Sequence, residues 1–215
     1  MKQSLRILLL PCLLVLSSCF GINADITLNQ NGSGIISLEY HISKALDSLS
    51  KLDGNERWNT IPVGKADFER TLDRLPEMKL LSFSSKENEK DLVINAKMEF
   101  ASMRSLLAFL DASGRRSSFT GDTRTGSMVL TLNEGSLNEN AGLDKLIATI
   151  SEGYSIRVSV TFPDRGKLSM SDRQGKPLAT LTGSEIRSEG KTVYFSFPLY
   201  AVLSSVDGIN AEFRW

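Results

Sequence analysis

Residues on which many enzyme and metal sites depend are scarce in this sequence. Among 215 residues there are two cysteines, Cys12 and Cys19, and a single histidine, His41. One histidine cannot build a multi-histidine metal site, and a catalytic histidine needs a nucleophile and an orienting partner that no spacing here identifies. His41 is therefore expected to be an ordinary strand residue. The sequence predicts no catalytic residue, no bound metal, no cofactor and no enzymatic activity.

An excess of charge of either sign is also missing. The chain has 25 basic and 25 acidic residues, and its pI is about 6.6. A domain that binds nucleic acid usually shows a clear basic excess, so nucleic acid is not an expected partner. With 41% hydrophobic residues and no low-complexity run, the composition is typical of a globular protein.

Long hydrophobic runs are lacking too, and the apolar segment near the N-terminus covers only residues 7–16. Lys2 and Arg6 precede it, and the small residues Ser17 and Ser18 follow it. Spanning a bilayer takes about 20 apolar residues. A charged start, a short apolar core and small residues before a cleavage point are instead typical of a secretory signal.

The end of this segment, Leu16-Ser17-Ser18-Cys19, resembles the lipobox of bacterial lipoproteins. The resemblance implies that residues 1–18 are a signal peptide, cleaved before Cys19, and that Cys19 carries a diacylglycerol and often a further acyl chain such as palmitate. Two or three acyl chains hold a protein stably on a membrane. Pro11 makes Cys12 a poor competitor. An aspartate directly after the acylated cysteine often retains lipoproteins at the inner membrane. This position is Phe20 here, so the outer membrane is favoured if the organism has one.

Cleavage at that point constrains the mature chain, 19–215. Its one cysteine would be a thioether, so the chain forms no internal disulfide and depends on an ordinary hydrophobic core. Apolar and polar residues already alternate over 22–29, which predicts a strand. Phe20 and Gly21 then form a tether of roughly 7 Å, which would hold the domain against the lipid headgroups.

The remaining pattern predicts one α+β domain over 19–215, mainly antiparallel sheet with about four helices packed on it. Asn31-Gly32-Ser33-Gly34 predicts a hairpin turn. Helical spacing of apolar residues predicts helices within 43–54, 67–75, 102–114 and 143–153, with Ser102 as one cap. The C-terminal third, 153–215, is predicted to be strand-rich with one helical turn at 199–203, and a possible subdivision lies near residue 153.

Basic residues outnumber acidic ones between positions 157 and 176. They would contact anionic headgroups if the tether is short. The alternative is a solvated face, which is the usual role of charged runs. The residues concerned are Arg157, Arg165, Lys167, Arg173 and Lys176.

Several segments together resemble the LppM-type bacterial lipoprotein domain. They are the short distance from lipobox to first strand, the hairpin over 24–34, the strand from Tyr154 to Pro163, Gly190-Lys191-Thr192-Val193-Tyr194-Phe195, and the final aromatic strand. The resemblance implies a lipid-anchored α+β domain of the cell envelope with no catalytic residues to carry over. That family usually has a transmembrane helix after the domain, whereas this chain stops at Trp215.

Three functions remain open at this point. The favoured one is a lipid-anchored binding or interaction module whose sheet, or a helix–sheet cleft, takes a lipid, an apolar ligand or a protein partner. The second is a structural accessory subunit of an envelope complex, for which an exposed apolar patch would be the sign. The third is a glycan hydrolase, which needs two carboxylates facing each other across a cleft.

Overall fold

The structure is a computed structural model that describes residues 21–43, 64–75, 77–89, 91–122, 124–135, 151, 153–178 and 183–215. Within these ranges the chain forms eleven strands and three short helices. The strands are β1 (Gly21–Leu28), β2 (Gly34–Ser43), β3 (Met78–Glu87), β4 (Asp91–Phe100), β5 (Ser117–Gly121), β6 (Gly126–Asn133), β7 (Ser155–Thr161), β8 (Lys167–Ser171), β9 (Glu185–Glu189), β10 (Thr192–Pro198) and β11 (Ile209–Arg214). The helices are α1 (Lys65–Leu72), α2 (Met103–Leu110) and α3 (Leu199–Leu203).

Seven strands form a large sheet in the order β3-β4-β2-β1-β7-β10-β9. The predicted hairpin between β1 and β2 is present: Gly32 has a φ of 81°, and the Ser33 amide donates to the Asn31 side chain at 3.1 Å. Every neighbouring pair is antiparallel except β1 and β7, which run parallel. The first strand of the domain therefore lies in the middle of the sheet.

The other four strands form a second, smaller sheet in the order β5-β6-β11-β8. Its side chains meet those of the large sheet in one continuous core. Phe213 of β11 joins the two sheets, because its ring centroid lies 6.5 Å from that of Phe162 and 6.2 Å from that of Phe195. All three rings are almost completely buried. Alternation along each strand sends these apolar residues inward and leaves polar residues on the opposite face.

The expectation of about four helices packed on a mainly antiparallel sheet is wrong for the described part of the chain. Strands dominate it, they divide between two sheets, and its three helices are only eight, eight and five residues long. Alternation shows that a segment is a strand but not which strand pairs with it, so the second sheet was missed. The helices predicted within 43–54 and 143–153 fall almost wholly outside the described residues.

Candidate functional site

A groove lies between α1, α2 and β5, and we call it the helix groove. Half-buried apolar side chains line it: Leu75, Leu107, Ala108, Phe109 and Phe119. Its volume is about 1110 Å³. The Phe119 ring is held in place by stacking on Trp215, with 5.8 Å between ring centroids. The groove is therefore an apolar recess with a fixed aromatic wall.

Local sequence explains why the two helices stand beside this recess. Helix α1 buries Phe68 and Leu72 beneath it, with the Phe68 ring 5.5 Å from that of Phe83 on β3. Helix α2 begins at Ser102, whose hydroxyl accepts a hydrogen bond from the Ser105 amide at 3.2 Å. It buries Met103 and Leu106, which leaves Leu107 turned toward the groove.

Three arginines border the helix groove: Arg70 and Arg74 from α1 and the turn after it, and Arg104 from α2. Arg70 lies 3.4 Å from a carboxylate oxygen of Asp67. Among the residues that the structure describes, Arg74 and Arg104 form no ion pair. The rim therefore carries positive charge that is available to an anionic ligand.

Asp111, at the end of α2, also reaches the groove, but its carboxylate is fully engaged by its own loop. It accepts hydrogen bonds from the amides of Arg116 at 2.6 Å, Ser117 at 2.9 Å and Ser113 at 3.1 Å, and from the Ser113 hydroxyl at 2.5 Å. Burial by itself raises the pKa of Asp111, but these hydrogen bonds outweigh it and lower the pKa to about 2. Asp111 thus fixes this part of the groove wall, and its carboxylate is ionised at neutral pH.

The outer face of the large sheet is polar, and no described helix covers it. One row of residues crosses the strands in register: Asn95, Glu39, Asn23, Arg157 and Ser196. Glu39 accepts a hydrogen bond from the Asn23 side chain at 3.1 Å and lies 3.5 Å from Nε2 of His41. A depression of about 590 Å³ lies over this row. Its lining combines polar strand residues such as Asn23, Glu39 and Arg157 with Tyr154, Pro198 and Tyr200 at one end.

The five basic residues singled out from the sequence occupy three places. Arg157 lies on the outer face opposite Asn23. Arg165 lies two residues before β8, Lys167 is its first residue, and Arg173 and Lys176 lie in the turn after its end. The structure therefore does not gather all five into one patch, and their contact with headgroups stays a prediction. Cys19 lies outside the described residues, so its acylation also stays a prediction.

In the described ranges no helix is both long enough and apolar enough to cross a membrane. The same residues contain no group of three or more histidine, cysteine, aspartate or glutamate side chains arranged to hold a metal ion.

Comparison with solved structures finds a likeness to the folded domain of LppM from Mycobacterium tuberculosis, determined by NMR. The TM-score is 0.42 and the sequence identity 14%, over 92% of this chain and 91% of that one. No family model matches the chain, and no curated protein matches it. The likeness is to the kind of domain that the sequence resembles, but at this level it carries no argument about function.

Sequence reasoning missed the helix groove. Leu107 was expected to face the core with Met103 and Leu106; it does pack against the core, but it is only half-buried and also lines the groove. A signal was available, since Arg70 and Arg74 are four residues apart and would share one side of the helix predicted over 67–75. Nothing in the sequence shows that Phe119 lies beside Leu107, because that contact depends on how β5 packs against α2.

Proposed function

We propose that the chain is an exported lipoprotein, acylated on Cys19, whose helix groove binds the apolar part of an anionic amphiphile such as an acidic phospholipid. The observation that carries the proposal is the helix groove itself, an apolar recess bordered by Arg74 and Arg104. Ligand sites are typically concave and mostly apolar, with a few polar groups that fix orientation. In the helix groove, apolar side chains supply the larger share of the exposed wall, and the polar part includes Asp67 and Asp111 as well as the three arginines.

The positive charge at the rim of the helix groove determines which lipid headgroup is preferred. An anionic headgroup at the rim would give Arg74 and Arg104 a partner that neither has among the described residues, and guanidinium groups pair well with phosphate. A zwitterionic headgroup of the same size would bring its own cation close to them. We therefore expect preference for acidic lipids over neutral ones.

Membrane attachment rests on the lipobox. The segment 1–18 with Cys19 would export the chain and fix it to a membrane by acyl chains, with the outer membrane favoured where one exists. Attachment would keep the helix groove within reach of lipids that transiently leave the bilayer. In this role the protein is a binding module and not an enzyme.

Carboxyl groups in the described residues give little support to a glycan hydrolase. That chemistry needs one carboxylic acid with a raised pKa to protonate the leaving group. The carboxyl groups whose pKa departs clearly from the ordinary value have it lowered by hydrogen bonds or by a nearby arginine: Asp111, Asp122, Glu134 and Glu212. None of these four would serve as that acid.

The direct test measures binding of pyrene-labelled lysophosphatidylglycerol and lysophosphatidylcholine to the mature chain, residues 19–215 with Cys19→Ala. We expect the anionic lipid to bind about tenfold tighter, and Arg74→Gln with Arg104→Gln to remove that difference. Ala108→Trp, which fills the groove, should weaken binding of both lipids about tenfold or more. Arg124→Gln removes an exposed arginine at the β5–β6 turn and serves as the matched control without effect.

Two outcomes would contradict lipid binding in the helix groove. Binding that ignores both the arginine pair and Ala108→Trp would mean that the helix groove is not the lipid site. A folded chain that binds neither lipid but captures a defined envelope protein through the same groove would replace the lipid with a protein partner. Acylation is tested separately by intact mass of the native protein, and a mass of the full-length, unacylated chain would contradict the anchor.

A further inference from the structure

One end of the molecule combines the start of β1 with several exposed apolar side chains, and we call it the tether end. Gly21 at the start of β1 pairs with Ser155, and Pro198 at the end of β10 pairs with the same residue. Helix α3 follows β10 directly, and its first amide, Leu199 N, donates to the Tyr154 carbonyl at 2.7 Å. Helix α3 therefore lies at the end of the large sheet where the chain from Cys19 enters.

Exposed apolar side chains are concentrated at this end. Six large hydrophobic side chains are exposed in the described part of the chain, and four of them lie here: Ile22 at 37%, Tyr200 at 43%, Leu203 at 40% and Val206 at 61%. Tyr200 and Leu203 are three residues apart and share one side of α3, while Val202 is buried on another side. The remaining two, Leu81 and Ile186, lie on the strands at the two edges of the large sheet.

Basic residues lie beside these apolar side chains. The Arg173 amide donates to the Asp207 carbonyl at 3.0 Å, which brings the turn after β8 against the loop that carries Val206. Arg173 and Lys176 are both exposed in that turn. The buried carboxylate of Asp172 accepts a hydrogen bond from the Lys176 amide at 2.8 Å, and exposed Asp207 is the acidic side chain of the adjoining loop. Exposed basic groups thus outnumber acidic ones in these two segments. Glu134, at the end of β6, lies close enough to Arg173 for that arginine to help lower its pKa, and it pairs with Arg116 at 2.7 Å.

We propose that the tether end is a membrane-contact surface that places Tyr200, Leu203 and Val206 in the interfacial layer of an anionic bilayer, with Arg173 and Lys176 over the phosphates. The proposal deepens the proposed function and rests on its anchor at Cys19. Only Phe20 separates that cysteine from Gly21, the first paired residue of β1, a reach of roughly 7 Å from Cys19 to Gly21. An acylated Cys19 would therefore press this end, and no other, against the headgroups.

The chemistry of this end suits that location. Tyrosine is enriched where membrane meets water because its ring is apolar and its hydroxyl is polar. Leucine and valine gain free energy when they leave water, and cations are attracted to an anionic leaflet. The acyl chains would attach the protein to the membrane, and the membrane-contact surface would fix the orientation of the domain with the tether end facing the bilayer.

The test measures co-sedimentation of the mature chain, residues 19–215 with Cys19→Ala, with two kinds of vesicle. One kind contains phosphatidylethanolamine with phosphatidylglycerol, and the other contains phosphatidylcholine alone. We expect preference for the anionic vesicles that falls with added salt. Leu203→Asp with Val206→Asp should lower the partition coefficient about tenfold or more, and Leu81→Asp, an equally exposed apolar site on an edge strand, should leave it unchanged.

Arg173→Gln with Lys176→Gln should remove the preference for anionic vesicles while weak binding to both kinds remains. Unchanged partition of the Leu203→Asp, Val206→Asp variant, with thermal unfolding showing that it is folded, would overturn the proposal. The outcome is separable from the proposed function. Loss of lysolipid binding in Ala108→Trp concerns the helix groove alone, and the intact mass of the native protein concerns the anchor alone.

Discussion

Asp111 shows how one side chain shapes the helix groove at the scale of a residue. Its carboxylate accepts hydrogen bonds from three backbone amides and two hydroxyls of residues 113–117, which hold the loop between α2 and β5 against the end of α2. That loop forms part of the groove wall, together with Phe119 at its far end. The shape of the helix groove therefore depends on the Asp111 carboxylate through the loop that it binds, without a direct contact between Asp111 and a ligand.

The first prediction concerns the pH dependence of stability. The pKa of Asp111 is about 2 in the folded chain and about 3.8 when unfolded, so its ionised form is favoured by folding. Its contribution is complete above about pH 4 and disappears as pH falls through about 2. We expect Asp111→Asn to lower the free energy of unfolding near neutral pH by about 1 kcal/mol.

Denaturant unfolding of both chains between pH 7 and pH 2 checks this. The difference between wild type and variant should shrink toward zero at the acidic end. A difference that stays constant over the whole range would show that the cost comes from packing and not from the charge.

At the scale of an element, helix α2 forms one wall of the helix groove, and its N-terminal end depends on Ser102. Residues at an N-cap satisfy amides that the helix itself leaves without partners. Besides the Ser105 amide, the Ser102 hydroxyl contacts the Glu77 carboxylate, which ties the helix start to the turn before β3. Without the cap, the first turn of α2, which carries Arg104, would fray.

The second prediction is that Ser102→Ala lowers the free energy of unfolding by about 1 kcal/mol. Ser102→Thr should keep most of the stabilisation that the cap provides, because threonine also has a hydroxyl that can accept from the Ser105 amide. Thermal or denaturant unfolding measures the change. The same alanine variant should also weaken the preference for lysophosphatidylglycerol, because Arg104 sits in the turn that frays. An alanine variant as stable as the wild type would show that the cap contributes nothing.

Elements differ in how much of them the sequence reveals. Ser102 as a cap and the Asn31–Gly34 turn are local features, and both were predicted and are present. Helix α1 was predicted to start at Asp67, but Gly64 is its cap and Asp67 reaches back to the Gly64 amide at 3.0 Å. The parallel pairing of β1 with β7 was missed because it joins strands about 130 residues apart. The helix groove depends on such distant packing, so it was missed as well.

At the scale of the whole molecule, the buried side chains form a single cluster that both sheets share. Phe213 lies in its centre, between Phe162 and Phe195. A core shared in this way favours one cooperative unit over two halves divided near residue 153. The possible subdivision considered from the sequence remains a prediction that unfolding experiments decide.

The third prediction is that Phe213→Ala lowers the free energy of unfolding by about 3–5 kcal/mol and does so for the whole domain at once. Far-ultraviolet circular dichroism and tryptophan fluorescence should report coincident transitions in the wild type and in the variant. Two separate transitions, of which only one shifts in Phe213→Ala, would show that the chain consists of two units.

The central position of β1 has a mechanical consequence. On the proposed anchor at Cys19, any pull between domain and membrane acts along a strand bonded on one side to β2 and on the other to β7. A force in that direction loads both ladders of hydrogen bonds in shear, whereas a strand at the edge would peel away one bond at a time. Hydrogen bonds on both sides of β1 therefore resist the pull, and β1 separates from the sheet only when both ladders break together.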